Sequence, residues 1–195
     1  MSAIETLPVG EHAVRFRIPH AAPRAALLAW LLEQPGVIDA SLAAEHALVV
    51  FRDAPTPIEL PVLTSTTSRE VEEHVIRVIY DGEDLDDVAR RASLTREEVI
   101  AHHTSRALEV AFLGFCPGFA YLVGLDDALA AISRRGTPRA RVPANTVAIA
   151  GGYCGIYPAA MPGGWHLLGL ALDARLLDGE APRLRVGDRV RFVAA

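Results

Sequence analysis

The chain alternates hydrophobic and polar positions over several short stretches, which is typical of half-buried strands because every second side chain of a strand faces the same way. One longer apolar stretch follows the first of them and predicts a helix. The elements predicted over the first part of the chain are a strand at Val14, Phe16 and Ile18, a helix over 22–33 ended by Pro35-Gly36, and strands over 37–42, 47–51 and 60–62. Strands grouped around one helix predict a small α+β domain.

A polar segment rich in Ser, Thr and Glu occupies residues 64–73, between two strand-like segments. This composition is typical of a connection between domains. The sequence therefore predicts two domains, one over residues 1–72 and one over residues 73–195.

The second domain begins with a strand and two short helices. Asp84 is predicted to cap the first helix, and Thr95 with Glu98 forms a capping box for the second. After them, short apolar segments alternate with Gly and Pro, which indicates a barrel or a sandwich. The elements predicted after Glu73 are strands over 75–80, 108–112, 146–150, 165–170 and 189–193, a strand around Val142, and helices from Leu85, from Thr95 and over 126–132.

Composition narrows the possible functions. The formal net charge is −5, which disfavours nucleic-acid binding because that requires a basic surface. All 19 basic residues are arginine, so a Schiff-base lysine, a Walker-type phosphate loop and a biotinyl-lysine are excluded within this chain. The sequence shows no membrane span, no secretion signal and no metal-ligand spacing, and we expect a cytoplasmic protein without a metal site.

Glycines and aromatic residues concentrate between Phe112 and Gly169, where tight turns and flat apolar walls favour a binding site. In the turn 114–119, the Pro117-Gly118 pair is expected to present nearby aromatic side chains, either into a core or toward a ligand. The segment 151–155 is either a loop whose amides bind an anion or a plain hairpin turn. The arginines of this region that could bind a carboxylate or a phosphate are Arg134, Arg135, Arg139 and Arg141.

His103 lies on the apolar side of its helix, where most histidines are structural. It precedes a predicted barrel strand, so a role as acid or base at the barrel mouth is the alternative. Cys116 and Cys154 sit in glycine-flanked turns, and a nucleophilic role would require a neighbouring base.

Several of these segments together resemble the family of KipI and allophanate hydrolase subunit 1, which includes subunits of bacterial 5-oxoprolinase. The resemblance rests on the order and spacing of the segments 114–121, 137–144, 149–151, 155–158 and 162–165, and more loosely on Glu98 to His103. It implies a ferredoxin-like α+β domain followed by a mainly-β, cyclophilin-like barrel. It also implies an ATP-dependent amidohydrolase that opens the lactam of 5-oxoproline to glutamate.

The family resemblance further implies that this chain works with a C subunit and an A subunit and is inactive alone, with ATP bound by the assembled complex. It suggests His103 and Arg139 as catalytic residues. The residues expected to bind the substrate are Phe115, Pro117, Phe119, Tyr121, Pro143, Gly151, Tyr153, Cys154, Gly155, Tyr157 and Trp165.

The chain departs from the family pattern at several polar positions. Tyr153-Cys154 replaces a Gln-Thr pair, and the remaining departures are Met161 for Ser, His166 for Gln or Arg, and Leu170 for Arg. If the Gln and Thr side chains contact the substrate, these changes alter the specificity or the activity. Two other functions stay open: a KipI-like inhibitor of a sensor histidine kinase, and a carboxyltransferase-like subunit of urea or allophanate metabolism.

Overall fold

The computed structural model describes residues 2–19, 22–63, 70–172 and 174–195. The chain divides into two units, residues 1–70 and 71–195. Part of the predicted linker, residues 64–69, lies outside the described residues. Each helix in the described ranges is too short or too polar to span a membrane.

The N-terminal unit is built on an antiparallel sheet with the strand order β2-β3-β5-β4. Its elements are β1 (Ser2–Ala3), β2 (Thr6–Val9), β3 (Ala13–Arg17), α1 (Arg24–Leu32), β4 (Val37–Leu42), β5 (His46–Phe51) and β6 (Glu59–Leu60). The strand β1 pairs with β6 in a separate two-stranded sheet. The helix and the strands predicted from the apolar pattern are present, and β1 and β2 were not predicted.

The fully buried side chains of this unit come from the sheet and from α1, including Phe16, Leu27 and Val49. A ferredoxin-like unit has the order β-α-β-β-α-β, with two helices. The described residues of this unit contain one helix, so the ferredoxin-like assignment remains a prediction.

The C-terminal unit contains the remaining elements. They are β7 (Glu73–Ile79), α2 (Leu85–Ala92), α3 (Arg96–Thr104), β8 (Leu108–Leu113), β9 (Ala120–Val123), α4 (Asp127–Ala130), β10 (Arg139–Val142), β11 (Thr146–Ala150), β12 (Tyr153–Ile156), β13 (Met161–Gly163), β14 (His166–Leu172), β15 (Leu177–Asp178), β16 (Ala181–Pro182) and β17 (Arg189–Ala194). The strands β9, β12, β13, β15 and β16 were not predicted, and the helix predicted over 126–132 is shorter in the structure.

Seven of these strands form a closed barrel in the order β11-β12-β9-β8-β17-β7-β14. The pair β17 and β7 is parallel, and the other neighbours are antiparallel. The strands β10 and β13 pair with each other outside the barrel, as do β15 and β16. The prediction of a mainly-β barrel for this part of the chain is confirmed.

The barrel interior is filled by apolar side chains from all seven strands, and helices α2 and α3 pack on the same cluster. Representative members are Val78, Val110, Leu122, Ile149, Ile156, Leu168 and Phe192. On β11 the alternate side chains Ala148 and Ala150 point the other way, into a second buried cluster that includes Phe119, Tyr157 and Trp165. Because neighbouring residues of a strand face opposite sides, this second cluster lies on the outer face of the barrel.

The two predicted helix caps have different outcomes. Thr95 and Glu98 form the capping box, with Glu98 N–H donating to Thr95 Oγ1 at 3.2 Å and Thr95 N–H donating to Glu98 Oε2 at 2.8 Å. Asp84 precedes α2 as expected, but its side chain makes no capping hydrogen bond. The prediction of an Asp84 cap is wrong, because two arginines and a strand amide occupy its carboxylate.

Candidate functional site

A cavity of about 230 Å³ opens on the outer face of the barrel in the C-terminal unit. Its walls come from the turn before β9, from β9 itself, from the loop before β10, and from the segment that joins β13 to β14. The lining residues are Phe115, Phe119, Tyr121, Arg134, Arg135, Pro138, Tyr157, Pro162, Gly163, Gly164 and Trp165. We call this cavity the outer-face pocket.

Aromatic rings form the apolar wall of the outer-face pocket. The Phe119 ring lies edge-on to Tyr157 and to Trp165, with a centroid distance of 5.4 Å in each pair. Tyr121 lies 5.6 Å from Trp165 and stacks at 4.2 Å on Phe112 behind it. Edge-to-face rings at these distances pack favourably, so the wall is rigid.

The turn between β8 and β9 holds Phe115 at the rim of the pocket. Phe115 has a φ of +69°, a left-handed conformation that a bulky residue rarely adopts, and its side chain is 62% exposed. Backbone hydrogen bonds from Cys116 to Gly114 and from Phe119 to Cys116 close the turn. A strained, exposed aromatic residue beside a cavity is typical of a functional loop. The turn presents aromatic side chains, as the sequence predicts.

The segment Gly163-Gly164 lies against Tyr157 at the side of the pocket. A methyl group on Gly163 would overlap the Tyr157 hydroxyl and come within 2.9 Å of its ring, so only glycine fits there. The Tyr157 oxygen receives a hydrogen bond from the backbone N–H of Trp165. Burial, the largest effect, raises the pKa of Tyr157, although this hydrogen bond opposes the rise. Tyr157 is therefore a neutral hydrogen-bonding group at ordinary pH.

Two guanidinium groups supply the positive charge of the pocket. Arg134 is exposed, whereas Arg135 is partly buried, with 30% of its side chain accessible. Arg135 also donates its backbone N–H to the carbonyl of Gly164 at 2.9 Å, which fixes the loop to the pocket side. Aromatic walls with a few convergent polar groups are the usual composition of a small-molecule site.

Asp84 lies behind these arginines and is 4% exposed. Its Oδ1 accepts from Arg135 Nη1 at 2.6 Å and from Arg139 Nη2 at 2.8 Å, and its Oδ2 accepts from the N–H of Leu167 at 2.8 Å. Burial alone would raise the pKa of Asp84, but these hydrogen bonds and the two positive charges outweigh it and lower the pKa. Asp84 is therefore ionised near neutral pH.

Arg139, predicted to be catalytic, is held by carboxylates and does not line the pocket. Besides its bond to Asp84, it donates through Nε and Nη2 to Glu83 Oε2 at 3.3 and 3.2 Å. The hydrogen bond to Asp84 is the largest cause of its raised pKa. The structure brings Arg139 close to the pocket residue Arg135 through their shared partner.

His103 lies in the barrel interior, away from the outer-face pocket. It is 1% exposed, with Nδ1 2.7 Å from the Tyr80 hydroxyl and Nε2 3.3 Å from Cys154 Sγ, and its ring packs at 4.6 Å on Phe192. Burial lowers the pKa of His103 to about 4 and raises the pKa of the Cys154 thiol. The barrel wall separates His103 from the pocket, so the structure does not join the two predicted catalytic residues.

The pair that replaces Gln-Thr does not reach the pocket. Cys154 faces the barrel interior beside His103. Tyr153 faces outward, where its ring lies edge-on to Tyr121 at 5.6 Å and to Phe112 at 5.5 Å. Tyr153 therefore supports the aromatic wall from behind.

The remaining predicted residues are in the same unit but outside the pocket lining. Pro117, Pro143 and Arg141 are exposed. Gly151 belongs to a two-residue hairpin turn with Gly152, both at positive φ, and Gly155 lies within β12 under the Phe119 ring. Of the two alternatives for 151–155, the structure shows the hairpin turn, followed by a paired strand.

The cavity lies on the outer face of the barrel, whereas the sequence suggested the barrel mouth, and the ligand site itself remains a prediction. Of the predicted substrate-binding residues, the structure brings five into one cavity: Phe115, Phe119, Tyr121, Tyr157 and Trp165. Sequence reasoning did not assign Asp84 or Gly163 to the site. The Gly-Gly-Trp sequence was a usable signal for Gly163, whereas the partners of Asp84 lie about fifty residues away in sequence.

No group of three or more His, Cys, Asp or Glu side chains suited to a metal ion occurs among the residues that the structure describes. The polar groups of the pocket are guanidinium, phenol and backbone amide groups. These groups suit an anionic or carbonyl-containing ligand, because they donate hydrogen bonds.

Comparison with known proteins assigns the chain to a family. Residues 4–179 match the family model described as carboxyltransferase domain, subdomain C and D. The chain is 38% identical over 205 residues to the B subunit of 5-oxoprolinase from Bacillus subtilis, which covers 90% of this chain and 82% of that protein. The protein of the same name from Haemophilus influenzae is 43% identical, over 60% of this chain and 57% of that protein. The one from Escherichia coli O157:H7 is 36% identical, over 84% of this chain and 80% of that protein.

Solved structures agree with this assignment. The crystal structure of TTHA0988 superposes with a TM-score of 0.74 at 35% identity, covering 94% of this chain, while this chain spans 40% of that longer one. The urea amidolyase of Kluyveromyces lactis shares the fold, with a TM-score of 0.67 at 15% identity over 98% of this chain and 15% of its own. This chain therefore belongs to the carboxyltransferase-domain family, subdomains C and D, and within it to the proteins similar to the B subunit of 5-oxoprolinase.

Proposed function

We propose that this protein is the B-type subunit of an ATP-dependent 5-oxoprolinase-type amidohydrolase and binds a small lactam in the outer-face pocket. The observation that carries the proposal is the pocket itself, in a chain whose relatives are named as B subunits of 5-oxoprolinase. It combines aromatic walls with guanidinium groups, which suits a small ring bearing a carboxylate. The ferredoxin-like and cyclophilin-like assignments of the two units are part of the same proposal.

In this proposal the pocket binds and orients the lactam. An amide resists attack by water, and negative charge develops on its carbonyl oxygen as the ring opens. Hydrogen-bond donors fixed before the reaction stabilise that charge. Besides Arg135, the lining side chains that can donate are Arg134, Tyr121, Tyr157 and Trp165. The rigid aromatic wall restricts the ring to one orientation, which lowers the entropic cost of reaction.

The proposal assigns ATP to the assembled complex. The chain contains no lysine and therefore lacks the lysine of a Walker-type phosphate loop. A C-type partner and an A-type partner would supply the phosphate-binding groups. The relatives are named as one subunit of an enzyme, which supports an assembly of several chains.

Reconstitution tests the proposed function. This chain alone should show no 5-oxoproline-dependent ATP hydrolysis, whereas co-expression with C-type and A-type proteins of the same organism should produce both ADP and glutamate. Glutamate and ADP are measured together, because ATP hydrolysis without glutamate would indicate an uncoupled contaminant. A complex verified by size-exclusion chromatography that forms no glutamate would contradict the proposal.

Two further measurements separate the alternative functions. Tight binding to a sensor histidine kinase that is unaffected by Trp165→Ala would favour the kinase-inhibitor function, because such binding does not need the pocket. Carboxylation of urea by a complex that contains a biotinylated partner would favour the carboxyltransferase function.

A further inference from the structure

We infer that Arg135 binds the carboxylate of the ligand in the outer-face pocket, and that Asp84 is the positioning residue that holds Arg135 for this task. The identity of the ligand as a carboxylate-bearing lactam rests on the proposed function. The assignment of Arg135 and Asp84 rests on the geometry of the C-terminal unit.

Arg135 is the partly buried cation of the pocket. Its guanidinium carries five N–H donors, and Nη1 makes the ion pair with Asp84. Its Nε is buried and has no hydrogen-bond partner among the described residues. Because this atom is closed to solvent, a ligand oxygen would bind instead through the accessible Nη2 of the same guanidinium. The remaining donors match a carboxylate, which accepts two parallel hydrogen bonds.

Arg139 and Arg134 are less suitable for this role. Arg139 donates to both Glu83 and Asp84 and does not line the pocket. Arg134 lines the pocket but is exposed, so water screens its charge. A partly desolvated guanidinium that is already oriented binds an anion more strongly than a mobile surface one.

Asp84 is fixed on both carboxylate oxygens, by the two arginines on Oδ1 and by the backbone of β14 on Oδ2. Asp84 in turn donates its own N–H to the carbonyl of Leu167 at 3.2 Å, so strand and aspartate hold each other. Because both of its oxygens are held, the Asp84 carboxylate stays in place and keeps Arg135 from swinging out into solvent. The consequence is a guanidinium whose Nη1 is anchored on Asp84 while the side chain, 30% accessible, lines the pocket.

The anchoring depends on a close crossing of two segments. A methyl group on Gly82 would overlap the backbone of Leu167 and Leu168, so glycine is required for residues 82–84 to lie directly on β14. Gly82 N–H donates to the Leu168 carbonyl at 3.0 Å across the same contact. The fold therefore brings an aspartate from the start of α2 under an arginine that precedes β10.

Two ligands that differ only in the carboxylate test the inference: 5-oxoproline and 2-pyrrolidinone. The chain contains two tryptophans, so Trp30→Phe leaves Trp165 in the pocket as the fluorescent reporter. Binding is measured by titration, on the chain alone and on the co-expressed complex. We expect 5-oxoproline to bind on the order of tenfold more tightly or better, as for a charge-assisted hydrogen bond.

Arg135→Gln should reduce the ratio of the two dissociation constants, 2-pyrrolidinone over 5-oxoproline, to about one. The affinity for 2-pyrrolidinone should change little. Arg135→Lys keeps the charge but loses the planar fork, and an intermediate preference is expected. Asp84→Asn should lower the preference without removing it, because Arg135 remains but is no longer anchored. If Asp84 only supported the fold, Asp84→Asn would weaken the binding of both ligands equally. A loss confined to 5-oxoproline therefore identifies Asp84 as a positioning residue.

Asp86→Asn is the matched control. It makes the same chemical change on the same helix, but Asp86 pairs with Arg96 at the surface and should leave the preference unaffected. An unchanged preference in Arg135→Gln would overturn the inference, and if 5-oxoproline binds neither the chain nor the complex, the second pair of probes decides.

A second pair of probes separates this inference from the proposed function. Cyclopentanecarboxylate and cyclopentanecarboxamide have similar shape, and neither is a lactam. Suppose the reconstituted complex forms no glutamate, but the protein with Arg135 still binds cyclopentanecarboxylate more tightly than the amide. The proposed function then fails, and the assignment of Arg135 as the carboxylate-binding residue stands. If the complex forms glutamate while Arg135→Gln leaves the preference for the carboxylate unchanged in both pairs of ligands, the proposed function stands and the assignment of Arg135 fails.

Discussion

Replacing Gly169 with alanine is expected to destabilise the barrel by about 3 kcal/mol or more, the upper end of the cost of overpacking. The added methyl group would overlap the carbonyl oxygen of Ile79 and lie 2.9 Å from the Tyr80 Cα. Both contacts are with backbone, which cannot rotate away. The same pairing of β7 and β14 positions Asp84, which follows β7, so ligand binding should fall with stability.

Chemical denaturation of the purified variants measures this effect. Gly136→Ala is the matched control, because a methyl group there would have no heavy atom within 4 Å and Gly136 does not have a positive φ. We expect the control to change the free energy of unfolding by less than about 0.5 kcal/mol. A Gly169→Ala protein as stable as the control would show that β7 and β14 pack less tightly than the structure indicates.

Acidification from pH 6.5 to pH 4 should remove about 3 kcal/mol of stability through His103 alone. The pKa of His103 is about 4 in the folded protein, against 6.5 for an ordinary histidine, because the ring is buried without a charged partner. The unfolded chain therefore takes up the proton first. The contribution is complete above pH 6.5 and decreases as the pH falls toward 4.

His103→Gln is the variant that checks this prediction. Glutamine can still hydrogen-bond to Tyr80 and Cys154 but does not titrate, so stability should depend less steeply on pH between 6.5 and 4.5. A smaller slope should remain from His166, whose pKa is also lowered, mainly by burial. Carboxylates such as Asp84, with lowered pKa values, lose their contribution only below this range. Identical slopes in the two proteins would refute the role of His103.

The barrel strands could be predicted from the sequence where alternation or β-branched residues were continuous, as in β7, β11 and β17. The strand β12 was missed because it contains Gly155, and glycine disfavours a strand prediction. The structure requires that glycine because the Phe119 ring packs directly on it. Gly155 thus weakens the strand pattern of β12 in the sequence, although the packing of the distant Phe119 ring requires it.

The aromatic half of the pocket could be predicted because its residues cluster in sequence. The positive charge could be predicted in part, because Arg134 and Arg135 were among the four candidate arginines. Asp84 could not be assigned, since it meets Arg135 and Arg139 only through the folding of distant segments. Arg139 was assigned to catalysis from its motif, whereas its carboxylate partners are invisible to local patterns. The sequence does carry one signal for the outer-face location: the nearly continuous apolar run Val-Ala-Ile-Ala over 147–150 is typical of a strand covered on both faces, and β11 is buried at every position.

The most direct test of the outer-face pocket as the ligand site is a crystal structure of the reconstituted complex with 5-oxoproline. We predict electron density for the ligand between Tyr121, Trp165 and Arg135, with its carboxylate about 3 Å from the Arg135 guanidinium. Ligand density in the barrel interior beside His103, or entirely within a partner chain, would contradict the assignment.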